Sequence, residues 1–308
     1  MTDTPFHEGE IAVQRRAGEQ EAARRNGGGI STTITPGAQT FLALQNMLAV
    51  CTCGQDGQLW ASVWLGPPGF ARSSGDRSLE LIRPAVTDPV ARRLTNGAPV
   101  GLLAIDAAKR RRLRINGDVV DVAAQKVTIG VRECFANCPK YIRRRRVRVG
   151  GPRALHEPVS GRVLDERRRS ILCKADTLFV GSIFPARGAD VSHRGGAPGF
   201  ARLVGDSTLR IADYPGNSMF QTLGNFAVDP RAAVATVDFQ SGRMLAMSGT
   251  AQLVFGKADP NDPAGSTGRY WEFHVREWLE LSLPVLVEVE ELEASPFNPP
   301  VRVCDSNL

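Results

Sequence analysis

The residues best suited to chemistry lie in the second half of the chain. Ser192-His193-Arg194 ends a short apolar run and is followed by Gly195-Gly196. Further on come Asp213-Tyr214-Pro215-Gly216-Asn217-Ser218, then Phe220 and Asn225. A guanidinium grips a phosphate through two parallel N–H donors, which an ammonium cannot do. Paired glycines let a ligand approach the backbone closely. The Asp-Tyr-Pro-Gly-Asn step reads as a turn with free amides and a short amide side chain. It leads into Met219–Phe226, read as a short helix whose first N–H groups favour an anion. The chemistry expected is capture of a phosphorylated ligand by Arg194, with Asn217 and Ser218 as further phosphate ligands. Phe220, Leu223 and Asn225 would line a flat group or hold the loop. His193 and Tyr214 are the proton-handling, and hence catalytic, candidates. An unbulged strand would turn His193 to the face opposite Arg194, and a hydrogen-bonded structural histidine is the alternative reading.

These residues sit in one half of a sequence that states itself twice. Pro68-Gly69-Phe70-Ala71-Arg72 returns as Pro198-Gly199-Phe200-Ala201-Arg202. Gly75-Asp76 answers to Gly205-Asp206, Asp106 to Asp238, Arg111 to Arg243 and Gly117 to Gly249, at an offset of 130 to 132. That period is too long for a solenoid and suits a duplicated domain. Residues present in both copies, such as Arg72 and Arg202 or Asp106 and Asp238, read as structural. The copies differ where chemistry would sit: the first has Ser62-Val63-Trp64 in place of Ser192-His193-Arg194. Its turn is Arg83-Pro84-Ala85-Val86-Thr87-Asp88-Pro89, without the Gly-Asn step, and Arg83 could still supply a charge. The first module is therefore expected to hold no complete ligand site.

With 308 residues, 42% of them hydrophobic, the chain can build two cores. No run approaches the ~20 apolar residues of a membrane span, and the N-terminus does not read as a signal peptide. A cytoplasmic protein with no membrane partner is expected. Six cysteines in a chain this long are not a disulfide scaffold. Cys51, Cys53, Cys134 and Cys138 lack the usual zinc-ribbon spacing, so buried thiols are expected and no metal. The net charge of +6 is concentrated in Lys109–Arg112, Arg143–Arg146 and Arg167–Arg169. Few aromatics accompany these runs, which favours small anionic ligands over nucleic acid.

The supporting elements follow from periodicity and turn signals. A charged helix is expected over Gln14–Arg25, stopped by Gly27-Gly28-Gly29, and an amphipathic one over Pro36–Leu48 with Phe41, Leu44 and Leu48 on one face. Short strands follow at Met47–Cys53, Leu59–Leu65, Ser78–Ile82, Val100–Ile105, Arg112–Asn116 and Val119–Val131, the first two joined by a hairpin turn at Gln55–Gln58. After a linker over Arg148–Pro158 come a helix near Asp165–Lys174 and strands at Thr177–Phe184, Asp190–Gly195, Thr208–Ala212, Ala232–Phe239, Met244–Ser248 and Ala251–Phe255. Trp271–Leu283 and Leu286–Glu291 are expected to close the second barrel. The fold class expected is mainly β with peripheral helices, as two tandem small barrels. The division is 1–36 lead-in, 37–150 first module and 159–308 second module.

On Asp190–Phe200, Asp213–Asn217, Leu223-Gly224-Asn225 and Asp229–Ala232, the second half resembles the pyridoxamine 5'-phosphate oxidase-like, FMN-binding split-barrel proteins, in the branch with two modules per chain. The first half is similar more loosely, through Phe6–Glu10 and Asn137–Ile142. The resemblance implies two split β-barrels packed face to face, an internal copy of the family's dimer, with FMN in the cleft between them. It implies that Arg194 contacts the flavin phosphate, with Ser192, His193, Asp213, Tyr214, Asn217, Ser218, Phe220 and Asn225 around the cofactor. It implies an FMN-dependent oxidoreductase with a small-molecule substrate or an electron donor such as NAD(P)H, as a monomer with an internal pseudo-dimer or as a homodimer. A non-catalytic flavin-binding or sensing protein, or a deazaflavin or haem binder on the same barrel, is the alternative. The oxidases' Ser-Arg-Lys phosphate cluster is replaced here by Phe220-Gln221-Thr222, and Met244 stands where they place a glutamine, so pyridoxamine phosphate oxidation itself is not expected. Cys138–Tyr141 is expected either to close the first module or to reach across to the other module's flavin.

Overall fold

The computed structural model describes residues 4–84, 87–256 and 267–300. The lead-in is two helices, α1 (Glu8–Ala17) and α2 (Gln20–Gly27), where one was expected. Gly18, at φ 71°, ends α1 by returning its amide to the Arg15 and Gln14 carbonyls. His7 caps the start: its ring accepts from the Gly9 amide while the Glu10 carboxylate accepts from the His7 amide. α3 (Pro36–Ala43) has Thr35 as its N-cap and Pro36 at its first position. It stops short of the expected Leu48. Leu44 is exposed, and Leu48 is fully buried within a strand. Pairing of that strand on both sides outweighs the helical spacing.

The mainly β fold with peripheral helices is the one observed. The first sheet holds β1 (Met47–Cys53), β2 (Leu59–Leu65), β3 (Ala71–Ser73), β4 (Ser78–Ile82), β5 (Pro99–Asp106), β6 (Arg111–Val122) and β7 (Lys126–Asn137). Its order is β2-β1-β5-β6-β7-β4-β3. Then come β8 (Arg144–Pro152), β9 (Val159–Gly161), α4 (Glu166–Lys174), β10 (Thr177–Phe184), β11 (Gly188–Gly195), β12 (Ala201–Leu203), β13 (Thr208–Ala212), α5 (Gln221–Val228), β14 (Arg231–Asp238), β15 (Arg243–Phe255), β16 (Arg269–Ser282) and β17 (Val285–Glu293). The second sheet runs β11-β10-β14-β15-β16-β13-β12, the same order strand for strand, with β9 added against β16.

The repeated residues have structural causes. β6 and β15, each expected as shorter pieces, are single long strands bent at bulges between Asn116 and Gly117 and between Ser248 and Gly249. A Cβ on Gly117 would overlap the Gly130 carbonyl, and one on Gly249 the His274 carbonyl. In the Pro-Gly-Phe-Ala-Arg turns, Gly69 and Gly199 take φ 90° and 91°, and the Phe70 and Phe200 amides bond back to Pro67 and Ala197. Each phenylalanine ring lies on the backbone of the glycine that opens its turn, Gly66 or Gly196. Arg72 pairs with Glu80 across its hairpin, and Asp238 accepts from the Gln240 and Ser241 amides at its turn.

One hydrophobic core runs through both sheets, from Leu48, Cys51 and Leu103 to Phe179, Val191 and Ala233. β2 packs on β10, β14 and β15, while β11 packs on β1, β5 and β6, so the contacts are reciprocal. The expected linker is shorter than Arg148–Pro158, because β8 continues to Pro152. The expected closing strand at Leu286–Glu291 does not join the second barrel: β17 pairs with β8 in a ribbon of their own. Charge explains the pairing, since Glu288, Glu290, Glu291 and Glu293 face Arg148, Arg146, Arg145 and Arg144. The lead-in also crosses over. α1 lies on α5, with Gly9 against the Gly224 carbonyl and the Gln14 amide donating to the Met219 carbonyl at 3.0 Å.

Candidate functional site

A cleft with an enclosed volume of about 110 Å³ opens where the lead-in, the first module and the second module meet. β11 contributes Ser192 and Arg194 on one face, and the 212–222 segment forms the opposite wall. The first module contributes Arg112 and Arg114 from β6 and the Asn137–Tyr141 segment, while Glu19 comes from the start of α2. The Tyr141 hydroxyl donates to the Pro215 carbonyl at 2.8 Å, and its ring lies 5.1 Å from that of Tyr214. The segment after β7 thus reaches across to the second module.

Four guanidiniums meet three carboxylates around this cleft. Arg194 donates to Asp213 Oδ1 at 3.3 Å, and Asp213 Oδ2 accepts from Arg269 Nε at 3.0 Å. Arg269 also pairs with Glu19 at 3.0 Å, and Glu19 accepts from the Ser218 hydroxyl at 2.6 Å. Arg114 lies 3.4 Å from Asp190 and donates to Gln221 Oε1 at 2.7 Å. Among the described residues Arg112 has no carboxylate partner, and it donates to the carbonyls of Cys138 and His193. Burial, then the like charge of Arg114, pushes its pKa down to about 9. Among the described residues, Nε of Arg112 and of Arg194 has no hydrogen-bond partner. α5 begins at Phe220, which sits at φ 59° and provides no side-chain cap, so the first amides of the helix add positive potential at the same wall. The Thr222 hydroxyl there donates to Ser192 Oγ at 2.9 Å.

The fold brings Ser192, Arg194, Asp213, Tyr214, Asn217, Ser218 and Phe220 together around this cleft. His193 contributes its backbone, but its side chain is on the other face, since β11 pairs with β10 without a bulge. Its ring meets Phe179 edge-on at 6.0 Å. Asn225 lies outside the cleft, bonded to His7 Nε2 at 2.9 Å and to the Ser182 hydroxyl at 2.9 Å. It therefore holds α5 to the lead-in and to β10. Gly195 lines the cleft, but a Cβ on it would overlap the Tyr141 carbonyl, and Gly196 lies under Phe200. Sequence reasoning missed Arg112, Arg114, Arg269, Gln221, Thr222 and Glu19 as cleft residues. The basic run Lys109–Arg112 was the available signal, but nothing local showed which of its members is buried.

The matching place in the first module is filled. Asp88 is buried and accepts from the Ser62 hydroxyl, from Trp64 Nε1 at 3.3 Å and from the Val90 and Ala91 amides at 2.9 Å. Met244 and Ala246 occupy the positions of Arg112 and Arg114, and the Met244 sulfur lies 3.1 Å from the Val63 amide nitrogen. Arg83 is bonded to the Ala123 and Ala91 carbonyls. Of the expected turn, Ala85 and Val86 lie outside the described residues.

Among the described residues no helix is long and apolar enough to cross a membrane, and no cluster of His, Cys, Asp and Glu has the form of a metal site. No family model matches the chain, and no curated protein matches it. Solved structures similar to it include HupZ of Group A Streptococcus, at 14% identity over 42% of this chain and 98% of that one, TM-score 0.30. Another is an FAD-binding protein of Mesorhizobium loti, at 9% identity over 41% and 98%, TM-score 0.29. A third is a Clostridium acetobutylicum protein of the pyridoxine phosphate oxidase family, related to general stress protein 26, at 10% identity over 41% and 92%, TM-score 0.28.

Proposed function

We propose that the cleft binds FMN by its phosphate and that the chain is an FMN-dependent oxidoreductase. The observation that carries this reading is Arg112, a half-buried guanidinium with no carboxylate partner among the described residues, beside Arg194 and the uncapped start of α5. A half-buried cation without a counter-charge is costly, and an anion in the cleft would offset it. A dianionic phosphate fits that need, with Arg112 and Arg194 as its cations and the Ser192 hydroxyl, which accepts from Thr222, as a donor. Asp213 then acts on the arginines, holding Arg194 and Arg269 in place, rather than on the phosphate. The enclosed volume is below the ~300–1,000 Å³ of ordinary ligand pockets. It suits the phosphate end, and the flavin ring would lie toward the open mouth, near Tyr141, Tyr214 and Phe220.

When bound, the flavin supplies the redox chemistry. The chain's part is to hold the phosphate, to wall the ring and to limit water. Tyr214, buried beside Tyr141, is the cleft's proton-handling candidate. A small-molecule substrate and a nicotinamide electron donor are the partners this reading carries. The matching division of the chain is 37–150 as a first module with no flavin site and 159–308 as the flavin module, with 1–36 as a lead-in that crosses to it.

Titrating FMN and riboflavin into the full chain, followed by quenching of flavin fluorescence, tests the reading. FMN is expected to bind at least tenfold more tightly than riboflavin, and Arg194→Ala is expected to abolish the difference. Equal affinity for the two flavins, or an Arg194→Ala protein that keeps the preference, would overturn it.

A further inference from the structure

A second cavity, of about 600 Å³, opens on the other face of β11. It shares one residue with the first cleft, His193. Its volume lies within the ordinary range for small-molecule sites. Met47 and Ile105 of the first module face Phe179 and Val237 of the second across it, and α4 closes one side with Ile171 and Lys174. Ser170, Thr177, Thr236, Gln240 and Ser241 add polar groups to its lining, and the charged groups lie at the rim.

His193 is buried, and among the described residues neither ring nitrogen has a hydrogen-bond partner. Burial, then Arg112, Arg145 and Arg194, hold its pKa well below the usual histidine value, so the ring is neutral. A neutral imidazole has one donor and one acceptor, and leaving both unmade inside a protein costs stability. The rim charges are largely answered: Arg143 and Arg145 by Asp176 and Glu291, and Arg167 by Glu280. Among the described residues, Lys174 at the rim has no carboxylate partner.

We propose that this cavity is a second binding site, for a small aromatic acid that carries a ring hydroxyl. The hydroxyl, able to donate or to accept, bonds one ring nitrogen of His193; the ring packs on Met47, Ile105, Phe179 and Val237; the carboxylate meets Lys174. This assignment stands independently of what the first cleft binds.

Calorimetric titration of the full chain with 4-hydroxybenzoate, benzoate and phenol tests it, with no flavin added. One equivalent of 4-hydroxybenzoate is expected to bind, at least tenfold more tightly than either benzoate or phenol, and to move the ring ¹⁵N resonances of His193. His193→Phe should abolish the preference for 4-hydroxybenzoate over benzoate. Ser170→Trp, at the half-exposed mouth, should remove binding while leaving the FMN titration unchanged, which also shows that the variant is folded. No binding of 4-hydroxybenzoate would overturn the proposal. So would binding undiminished in Ser170→Trp, or equal binding of benzoate to the native chain.

Discussion

Cys51 and Gly181 hold the same place in the two sheets, each the fifth residue of its strand, and they touch. A Cβ on Gly181 would overlap the Cys51 sulfur and lie 3.2 Å from Ala233 Cβ. Equivalent residues in contact mark the place where the two sheets of matching order meet. In a symmetric dimer the residue on the symmetry axis meets its own copy. One chain carrying both halves can make the pair unlike, and here a thiol fills the space that a glycine leaves.

Gly181→Ala should therefore overpack the join between modules and lower stability by about 1–3 kcal/mol. The exchange Cys51→Gly with Gly181→Cys should recover most of the loss, since the sulfur is then supplied from the other side. Urea unfolding of both single variants and the double variant gives the coupling. Additive effects would show that the two residues do not share one space.

Arg112→Met should move two quantities in opposite directions. FMN binding should weaken by about 1.5–3 kcal/mol, as for loss of a charge-assisted hydrogen bond. The flavin-free chain should melt a few degrees higher, because an unanswered buried charge has been removed. Flavin titration and thermal melts of the flavin-free protein check both. A lower melting temperature would show that the Arg112 charge is balanced in the folded chain.

The Glu10 carboxyl is buried, and burial pushes its pKa up to about 8 from 4.5. The folded chain thus holds a proton that the unfolded chain releases, and stability falls as pH rises through this window. His7, lowered mainly by burial, acts in the opposite sense but only below its usual 6.5. Between pH 6.5 and 8 the Glu10 effect stands apart. Stability should decline there in the native chain and stay level in Glu10→Gln. Denaturant midpoints at half-unit pH steps measure it, and parallel profiles would assign the decline to another group.

One flavin per chain is the expected stoichiometry. Trp64 is buried, Asp88 draws Ser62 and Trp64 inward, and Met244 stands where the other side has Arg112. Absorbance of flavin released on denaturation, set against protein concentration, gives the ratio. A value of two would mean that the first module's cleft opens to a ligand.

That the two sheets share one strand order was legible because the repeated glycines and the Pro-Gly-Phe-Ala-Arg turns are demanded by backbone geometry, and such demands leave the same letters twice. The Ser192–Arg194 strand and the turn after Asp213 were legible for a similar reason, as local chemistry. The other half of the cleft was not, because Arg112, Arg114 and Glu19 arrive by packing between distant segments, and sequence spacing carries no sign of that. The basic run Arg143–Arg146 misled for the same reason: the glutamates of β17 that answer it lie some 145 residues on. Nothing in the sequence joins His7 to Asn225, because the two lie 218 residues apart.

The crossing of the lead-in onto α5 bears on the order in which the protein can be made. Helices α1 and α2 leave the ribosome early, yet the surface they cover does not exist until α5 has been synthesised. Domains generally fold as they emerge, N-terminal first, so the first sheet can form while the opening segment stays unplaced. Arg269, which Glu19 grips, comes later still. The cleft is thus finished late, and a retained ligand would certify that synthesis and folding have run at least as far as β16.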